Sequence, residues 1–169
     1  MTEQEFWQLV TRASLNQSDT EITAQLQARL APLSDEQLAA FDKHFAIQMR
    51  RSYQWSVWGA AYVVTGLDTE YAFAEFRSYL ISLGKDWFEQ IVLNPDALAL
   101  VPEFPLMDEY PYPFLQEYDL VAGQLYENRT DHELPFVSSG QSSPAGKKFD
   151  DRPKSLKKTY PQLAERFPF

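Results

Sequence analysis

Three helix-start signals in the first 37 residues constrain this chain most. Each is a capping box, in which a Ser or Thr side chain and a Glu or Gln three residues later bond to each other's backbone amides. The pairs are Thr2 with Glu5, Ser18 with Glu21, and Ser34 with Gln37. Apolar residues follow each box at spacings of three and four, the period of a helix with one buried face. The pattern predicts three consecutive helices, over about 2–14, 18–32 and 34–51.

Two more helices are predicted in the most aromatic part of the chain. The segment YQWSVWGAAYVVTG reads as a fourth helix that ends at Gly66, because glycine readily takes the left-handed conformation that closes a helix. Asp68 is expected to cap a fifth helix, which ends near Gly84. A short sixth helix contains the letters WFEQIV, and a further turn is expected through Leu100. No segment has the alternation of a convincing strand.

Prolines change the character of the chain at Val101, where VPEFPLMDEYPYP cannot run as a continuous helix. A last long helix is predicted from Phe114 to about Tyr126, followed by a loop rich in Pro, Gly and Ser. We therefore expect one all-α domain over 1–169, an irregular bundle of six or seven helices with a Pro-rich C-terminal segment packed across it. Its parts are a helical core (1–100), a Pro-rich connector with the last long helix (101–133), and an extended basic tail with a short terminal helical turn (134–169).

Charge is distributed unevenly along the chain. The net charge is −9, yet residues 147–169 carry seven basic and three acidic side chains, a local +4 that leaves −13 for the remainder. The summed negative field disfavours binding to a phosphate backbone, so a nucleic-acid partner is not expected. The basic tail either docks on the acidic body or reaches for a partner, and we expect docking.

Composition and motifs exclude several chemistries. The chain has no cysteine, which rules out disulfides, thiolate metal sites and cysteine nucleophiles. Only His44 and His132 are present, too few and too far apart to suggest a metal site or a histidine-based triad. No Walker loop or GxGxxG is found, so neither a metal nor a cofactor is predicted. The acidic N-terminus and short apolar runs predict a cytoplasmic protein without a membrane span.

The densest group of chemically versatile residues lies in the fourth and fifth helices and the turn between them. Its candidate ligand-binding residues are Trp55, Trp58, Tyr62, Asp68, Glu70 and Arg77. Two helices joined by so short a turn lie side by side, which brings Arg77 toward the fourth helix. Either the aromatic residues are core and Arg77 is their polar anchor, or Arg77 receives an anionic group in a pocket with tryptophan walls.

The order of these motifs resembles a bacterial family, the domain of unknown function four-two-four-zero. The resemblance is carried by FW near the start, YQWSVWGAAYVV, FAEFRSYLISLGKDWFE and NPDAL, and it covers most of the chain. A similar C-terminal pattern comprises Pro144, Gly146, Pro161, Leu163, Ala164 and Arg166. The sequence departs from the family where an SDD-like turn is expected and reads Thr69, Glu70, Tyr71. The resemblance implies a small all-helical bacterial protein and brings no activity to transfer.

Two main function classes remain open, and a third, nucleic-acid binding through the basic tail at 147–169, is the weakest. We expect a small, acidic, non-catalytic interaction protein of the immunity or regulatory type that binds a basic protein partner, because aromatics and acids are abundant and no catalytic constellation is recognisable. The alternative is a small enzyme or ligand-binding protein with a Trp/Tyr/Arg pocket between helices four and five. In that case Arg77 binds the ligand and Asp68 or Glu70 supplies the acid.

Overall fold

The computed structural model describes residues 1–137 and 140–169, and it confirms the all-α fold. Its α-helices are α1 (Glu3–Val10), α2 (Asp19–Leu30), α3 (Asp35–Arg51), α4 (Trp55–Thr65), α5 (Glu70–Ser82), α6 (Lys85–Leu93), α7 (Val121–Thr130), α8 (Pro153–Thr159) and α9 (Pro161–Arg166). Two 3-10 helices span Pro95–Leu100 and Tyr118–Leu120. A small antiparallel hairpin joins β1 (Leu106–Met107) to β2 (Tyr110–Pro111).

The helix starts follow the capping signals of the sequence closely. Complete capping boxes form at Thr2 and at Ser34, each with its partner three residues later. At the start of α2 the Ser18 hydroxyl accepts from the Glu21 amide at 3.2 Å. The fifth helix differs from the prediction, because α5 begins at Glu70 and Thr69 is its N-cap residue. Asp68 lies one position too early to cap the helix, and its side chain is exposed.

Helix α3 lies at the centre of the bundle, where it packs against α1, α5 and α7. The core is strongly aromatic, with fully buried rings at Phe6, Phe41, Phe73, Phe76, Phe88, Tyr79 and Tyr118. Helix α4 is apolar around most of its circumference, because α5 covers one side while α9 and the first 3-10 helix cover another. This double coverage explains why its sequence shows little polar periodicity.

The last long helix starts later than the sequence predicts. Helix α7 begins at Val121, seven residues after Phe114, and runs through Thr130. The delay has a local cause, since Glu117 takes a left-handed conformation with φ of 63°. A non-glycine residue in that conformation cannot continue a right-handed helix.

The C-terminal segment packs across the helical core, as predicted, although it forms two short helices where one turn is expected. Leu156, Tyr160 and Leu163 are buried. The buried carboxylate of Asp96 accepts hydrogen bonds from the backbone amides of the first turn of α9 at 3.0 and 3.1 Å. Arg166 donates to backbone carbonyls that follow the first 3-10 helix. Ser138 and Ser139, which fall in the predicted loop, lie outside the described residues.

In the described ranges 1–137 and 140–169, no helix is both long enough and apolar enough to span a bilayer.

Candidate functional site

The structure does not bring the six predicted site residues into one cavity. Trp55, Trp58, Tyr62 and Asp68 line a recess of about 300 Å³ together with residues 148–151 of the C-terminal segment. Glu70 and Arg77 line a different cavity of about 370 Å³, together with α3. We call the first the tail recess and the second the Arg77 cavity.

A stack of aromatic rings runs from one cavity to the other. Trp55 stacks on Trp58 with ring centroids 5.1 Å apart, and Trp58 stacks on Phe73 at 4.6 Å. Phe73 in turn stacks on Tyr53 at 6.0 Å, and Tyr53 lines the Arg77 cavity. The sequence places Tyr53, Trp55 and Trp58 close together, but it does not show that the Phe73 ring lies between Trp58 and Arg77.

The Arg77 guanidinium contacts two aromatic rings and one carbonyl, but its hydrogen-bonding capacity is only partly used. Its guanidinium carbon lies 4.5 Å from the centroid of the Tyr53 ring and 4.7 Å from that of Phe73. Nη1 donates to the Met49 carbonyl at 2.8 Å, whereas the buried Nε has no acceptor. Burial lowers the pKa of Arg77 to about 10, so the group stays positively charged at neutral pH.

No carboxylate forms an ion pair with Arg77 among the described residues. Glu70 lines the same cavity and raises the pKa of Arg77 through its charge, but its Oε1 accepts instead from the Tyr53 hydroxyl at 2.9 Å. With only 8% of its surface exposed, Arg77 is a buried charge without a charged partner among the described residues. Such groups are rare because removing an ion from water is unfavourable unless a partner compensates.

One face of α3 forms the long wall of the Arg77 cavity. The lining residues recur at helical spacing and are Asp42, Phe45, Ala46, Met49 and Arg50. The sequence pattern does not single out Asp42 and Arg50, which flank the apolar stripe of this helix. Helical periodicity alone cannot separate such positions from solvated ones, because it does not show what lies opposite the face.

Asp42 is a half-buried carboxylate with no hydrogen bond or ion pair in the part of the chain that the structure describes. Burial raises its pKa, and the charge of Asp119 raises it further. Asp119 also lines the cavity, but its side chain is exposed, so it meets the solvent at the rim. Among the described residues, the Arg77 cavity therefore contains two unpaired groups of opposite sign, Asp42 and Arg77.

The tail recess differs because the C-terminal segment contributes one side of its lining. Phe149 packs on Tyr62 at 5.3 Å, and the Lys148 ammonium lies 5.5 Å from the centroid of the Trp55 ring. Asp150, which also lines the recess, forms an ion pair with Arg152 that holds the pKa of Asp150 well below its usual range. These contacts indicate that the tail recess lies where the C-terminal segment packs against α4.

Among the described residues, no group of three or more His, Asp and Glu side chains is placed to hold a metal ion. His44 has a structural role, since its Nε2 lies 3.0 Å from the Met1 carbonyl oxygen and its ring stacks on Phe6.

The fold and the Arg77 cavity together define a small, predominantly helical protein with a ligand-sized cavity beside a buried arginine. The chain belongs to the family described as Protein of unknown function (DUF4240), whose model matches residues 1–128. No curated protein and no solved structure matches it significantly. The match includes all six predicted site residues and the α3 wall of the Arg77 cavity, and it ends within α7. The C-terminal motif that resembles the family lies beyond the match and stays a prediction.

Proposed function

We propose that the protein binds a small organic ligand through an anionic group that Arg77 receives in the Arg77 cavity. One observation carries the proposal, namely a buried guanidinium whose Nε lacks an acceptor and which has no carboxylate partner among the described residues. Arginine presents donors in a planar fork that matches a carboxylate or a phosphate. A bound anion would supply the compensation that a buried charge requires.

The surroundings of Arg77 favour binding over a purely structural role. The guanidinium stacks on the Tyr53 ring and donates a hydrogen bond to the Met49 carbonyl, and these two contacts fix its orientation. Such preorganisation reduces the entropy lost on binding. The cavity of about 370 Å³ lies within the size range of small-molecule sites. Glu70 is engaged by Tyr53, which leaves Arg77 available to a ligand.

Isothermal titration calorimetry with hexanoate and with inorganic phosphate tests the proposal. We expect at least one of these anions to bind the native protein, and Arg77→Lys to weaken that binding by about tenfold or more, because lysine keeps the charge but not the fork. The matched control is Arg12→Lys. Arg12 is equally buried and lies over the Tyr79 ring, but its Nε and Nη2 both donate to the Ser82 hydroxyl and it does not line this cavity.

Two results would contradict the proposal. The first is that neither anion binds the native protein. The second is that Arg77→Lys and Arg12→Lys both bind the anion as tightly as the native protein does. If Arg77→Lys does not fold, the resonance of the Arg77 Nε–H in the native protein gives the same information. Its chemical shift should move when the anion is added and should stay constant if Arg77 is only a structural anchor.

A second candidate function, the acidic interaction protein, is favoured by the hairpin of β1 and β2. Leu106, Met107 and Tyr110 are 67%, 52% and 75% exposed, and the turn between the strands is acidic. Exposed apolar side chains next to acids suit an amphipathic, basic protein partner.

Both proposals include a bacterial origin and a cytoplasmic location. The location is compatible with the absence of cysteine, because the cytoplasm is a reducing compartment.

Affinity capture from the source cells, read by mass spectrometry, tests this second function. The native protein is compared with a Leu106→Ser/Tyr110→Ser variant, because both side chains are exposed and their replacement should not affect folding. A basic protein that is captured only by the native chain supports the proposal. Equal capture by both chains, or no basic partner, contradicts it.

A further inference from the structure

We infer that the ligand of the Arg77 cavity is a linear zwitterion, with a carboxylate at Arg77, an ammonium group at Asp42 and an aliphatic chain between them. The inference rests on the proposed function, since it names the class of ligand for the same cavity. It goes further because it assigns the opposite end of the cavity to a cation.

The charges of the cavity lining disfavour a ligand that is only anionic. Arg50 and Arg77 contribute positive charge, whereas Asp42, Glu70 and Asp119 contribute negative charge. A polyanion such as a nucleotide would therefore meet an excess of carboxylates and a protein of net charge −9. A zwitterion has no net charge, so it avoids this repulsion while it still satisfies Arg77.

The two charged ends lie at opposite ends of the α3 wall. Arg77 is bonded to the carbonyl of Met49, and Asp42 lies seven residues before Met49 on the same face of the helix. Seven residues are about two turns, which corresponds to about 10 Å along the helix axis. A ligand that reaches both groups must therefore be elongated, and an α-amino acid without a charged side chain is too short.

The middle of the wall is apolar. Phe45 and Ala46 line the cavity between the levels of Asp42 and Met49. Methylene groups of a ligand would contact these side chains and leave water, which contributes about 0.8 kcal/mol for each CH₂ that is fully buried. The order of carboxylate receptor, apolar wall and ammonium receptor matches an ω-amino carboxylate.

Asp42 is the group that most needs a partner at its end. It is half-buried, it has no hydrogen bond or ion pair among the described residues, and its pKa is raised by burial and by Asp119. A bound ammonium group would stabilise the ionised form of Asp42 and lower its pKa again. The exposed carboxylate of Asp119 at the rim adds to the attraction for a cation.

Calorimetric titration with four probes tests this inference on the full-length native protein. The probes are 6-aminohexanoate, hexanoate, hexylamine and glycine. We expect 6-aminohexanoate to bind about tenfold or more tightly than each of the other three, because only this probe can satisfy both ends at once. Asp42→Asn should remove this advantage, so that 6-aminohexanoate binds this variant no more tightly than hexanoate does.

The matched control is Glu36→Gln, which removes the same charge from an exposed position on the same helix, away from the cavity lining. It should preserve the tenfold preference. If hexanoate binds the native protein as tightly as 6-aminohexanoate does, the zwitterion inference is overturned while anion binding at Arg77 stands. If glycine equals 6-aminohexanoate, the two-ended geometry is overturned. If none of the four probes binds, this inference fails, and loss of phosphate binding as well would remove the proposed function.

Discussion

Gly59 lies in the middle of α4, where the C-terminal segment crosses the helix, and Gly59→Ala should weaken this docking. An added Cβ would lie 2.3 Å from the Tyr160 hydroxyl oxygen and 3.0 Å from Cγ of Phe149. The same hydroxyl donates to the Ser56 carbonyl at 2.6 Å. Because Tyr160 is almost completely buried, its ring has little room to move away.

The expected effect is the balance of three contributions. Alanine has a higher helix propensity than glycine and gains about 0.8–1.0 kcal/mol. Loss of the Tyr160 hydrogen bond opposes this by about 0.5–1.5 kcal/mol, and overpacking opposes it by about 1–3 kcal/mol. Gly59→Ala should therefore lower the free energy of unfolding by about 1–3 kcal/mol, the opposite sign to that expected from helix propensity alone.

Gly123 in α7 is the matched control. A Cβ there would meet the Leu134 Cδ1 at 3.7 Å, which is an ordinary contact. Gly123→Ala should therefore raise the free energy of unfolding by about 0.5–1 kcal/mol. Urea unfolding followed by circular dichroism measures both variants, and limited proteolysis shows whether the C-terminal segment is released first.

A double mutant identifies the clashing atom. Tyr160→Phe removes the hydroxyl oxygen, so Gly59→Ala should be less destabilising in that background than in the native protein. The reasoning would be refuted if Gly59→Ala stabilised the protein as Gly123→Ala does, since the C-terminal segment could not then cover α4 in this way.

Three further predictions concern buried ionisable groups. Asp96→Ala removes both acceptors at the start of α9 and should cost about 1–3 kcal/mol in urea unfolding, with a smaller loss for Asp96→Asn; equal stability of all three proteins would contradict this. Burial raises the pKa of Asp42, so Asp42→Asn should increase the free energy of unfolding at pH 7. This increase should vanish below the ordinary aspartate pKa of about 3.9, where the carboxyl is protonated in the folded and the unfolded protein alike. An increase that persists at pH 3 would contradict a raised pKa. Burial also raises the pKa of Tyr79 and Tyr118, and that of Tyr160 to about 12. Absorbance titration of the folded protein should therefore show at most six of the nine tyrosines ionised at pH 11, and more than six would contradict this.

Local signals made the first half of the fold predictable. Capping at Thr2 and Ser34 depends on residues three positions apart, so the sequence contains everything that the cap requires. The start of α7 was mispredicted because the left-handed residue Glu117 is an ordinary helix former by propensity. A local pattern of helix propensities therefore gives no sign of the left-handed conformation at this position.

The sequence indicates the six candidate residues, but it does not show that they line two separate cavities. Arg77 was recognised because a cation among aromatic rings must find a role, and its burial beside Tyr53 agrees with that reasoning. The separation of Trp58 from Arg77 depends on the orientation of the Phe73 ring. Asp42 was missed because its importance arises from groups contributed by α5 and by Asp119, which are distant in sequence.

The hydrogen bond from Tyr160 to Ser56 also determines when α4 can complete its packing during synthesis. These two residues are 104 positions apart, so the ribosome needs about 5–20 s to supply the second after the first. Throughout that interval the apolar side of α4 that α9 will cover is exposed to the cell. The nascent chain must therefore avoid aggregation through this interval without the cover that α9 later provides.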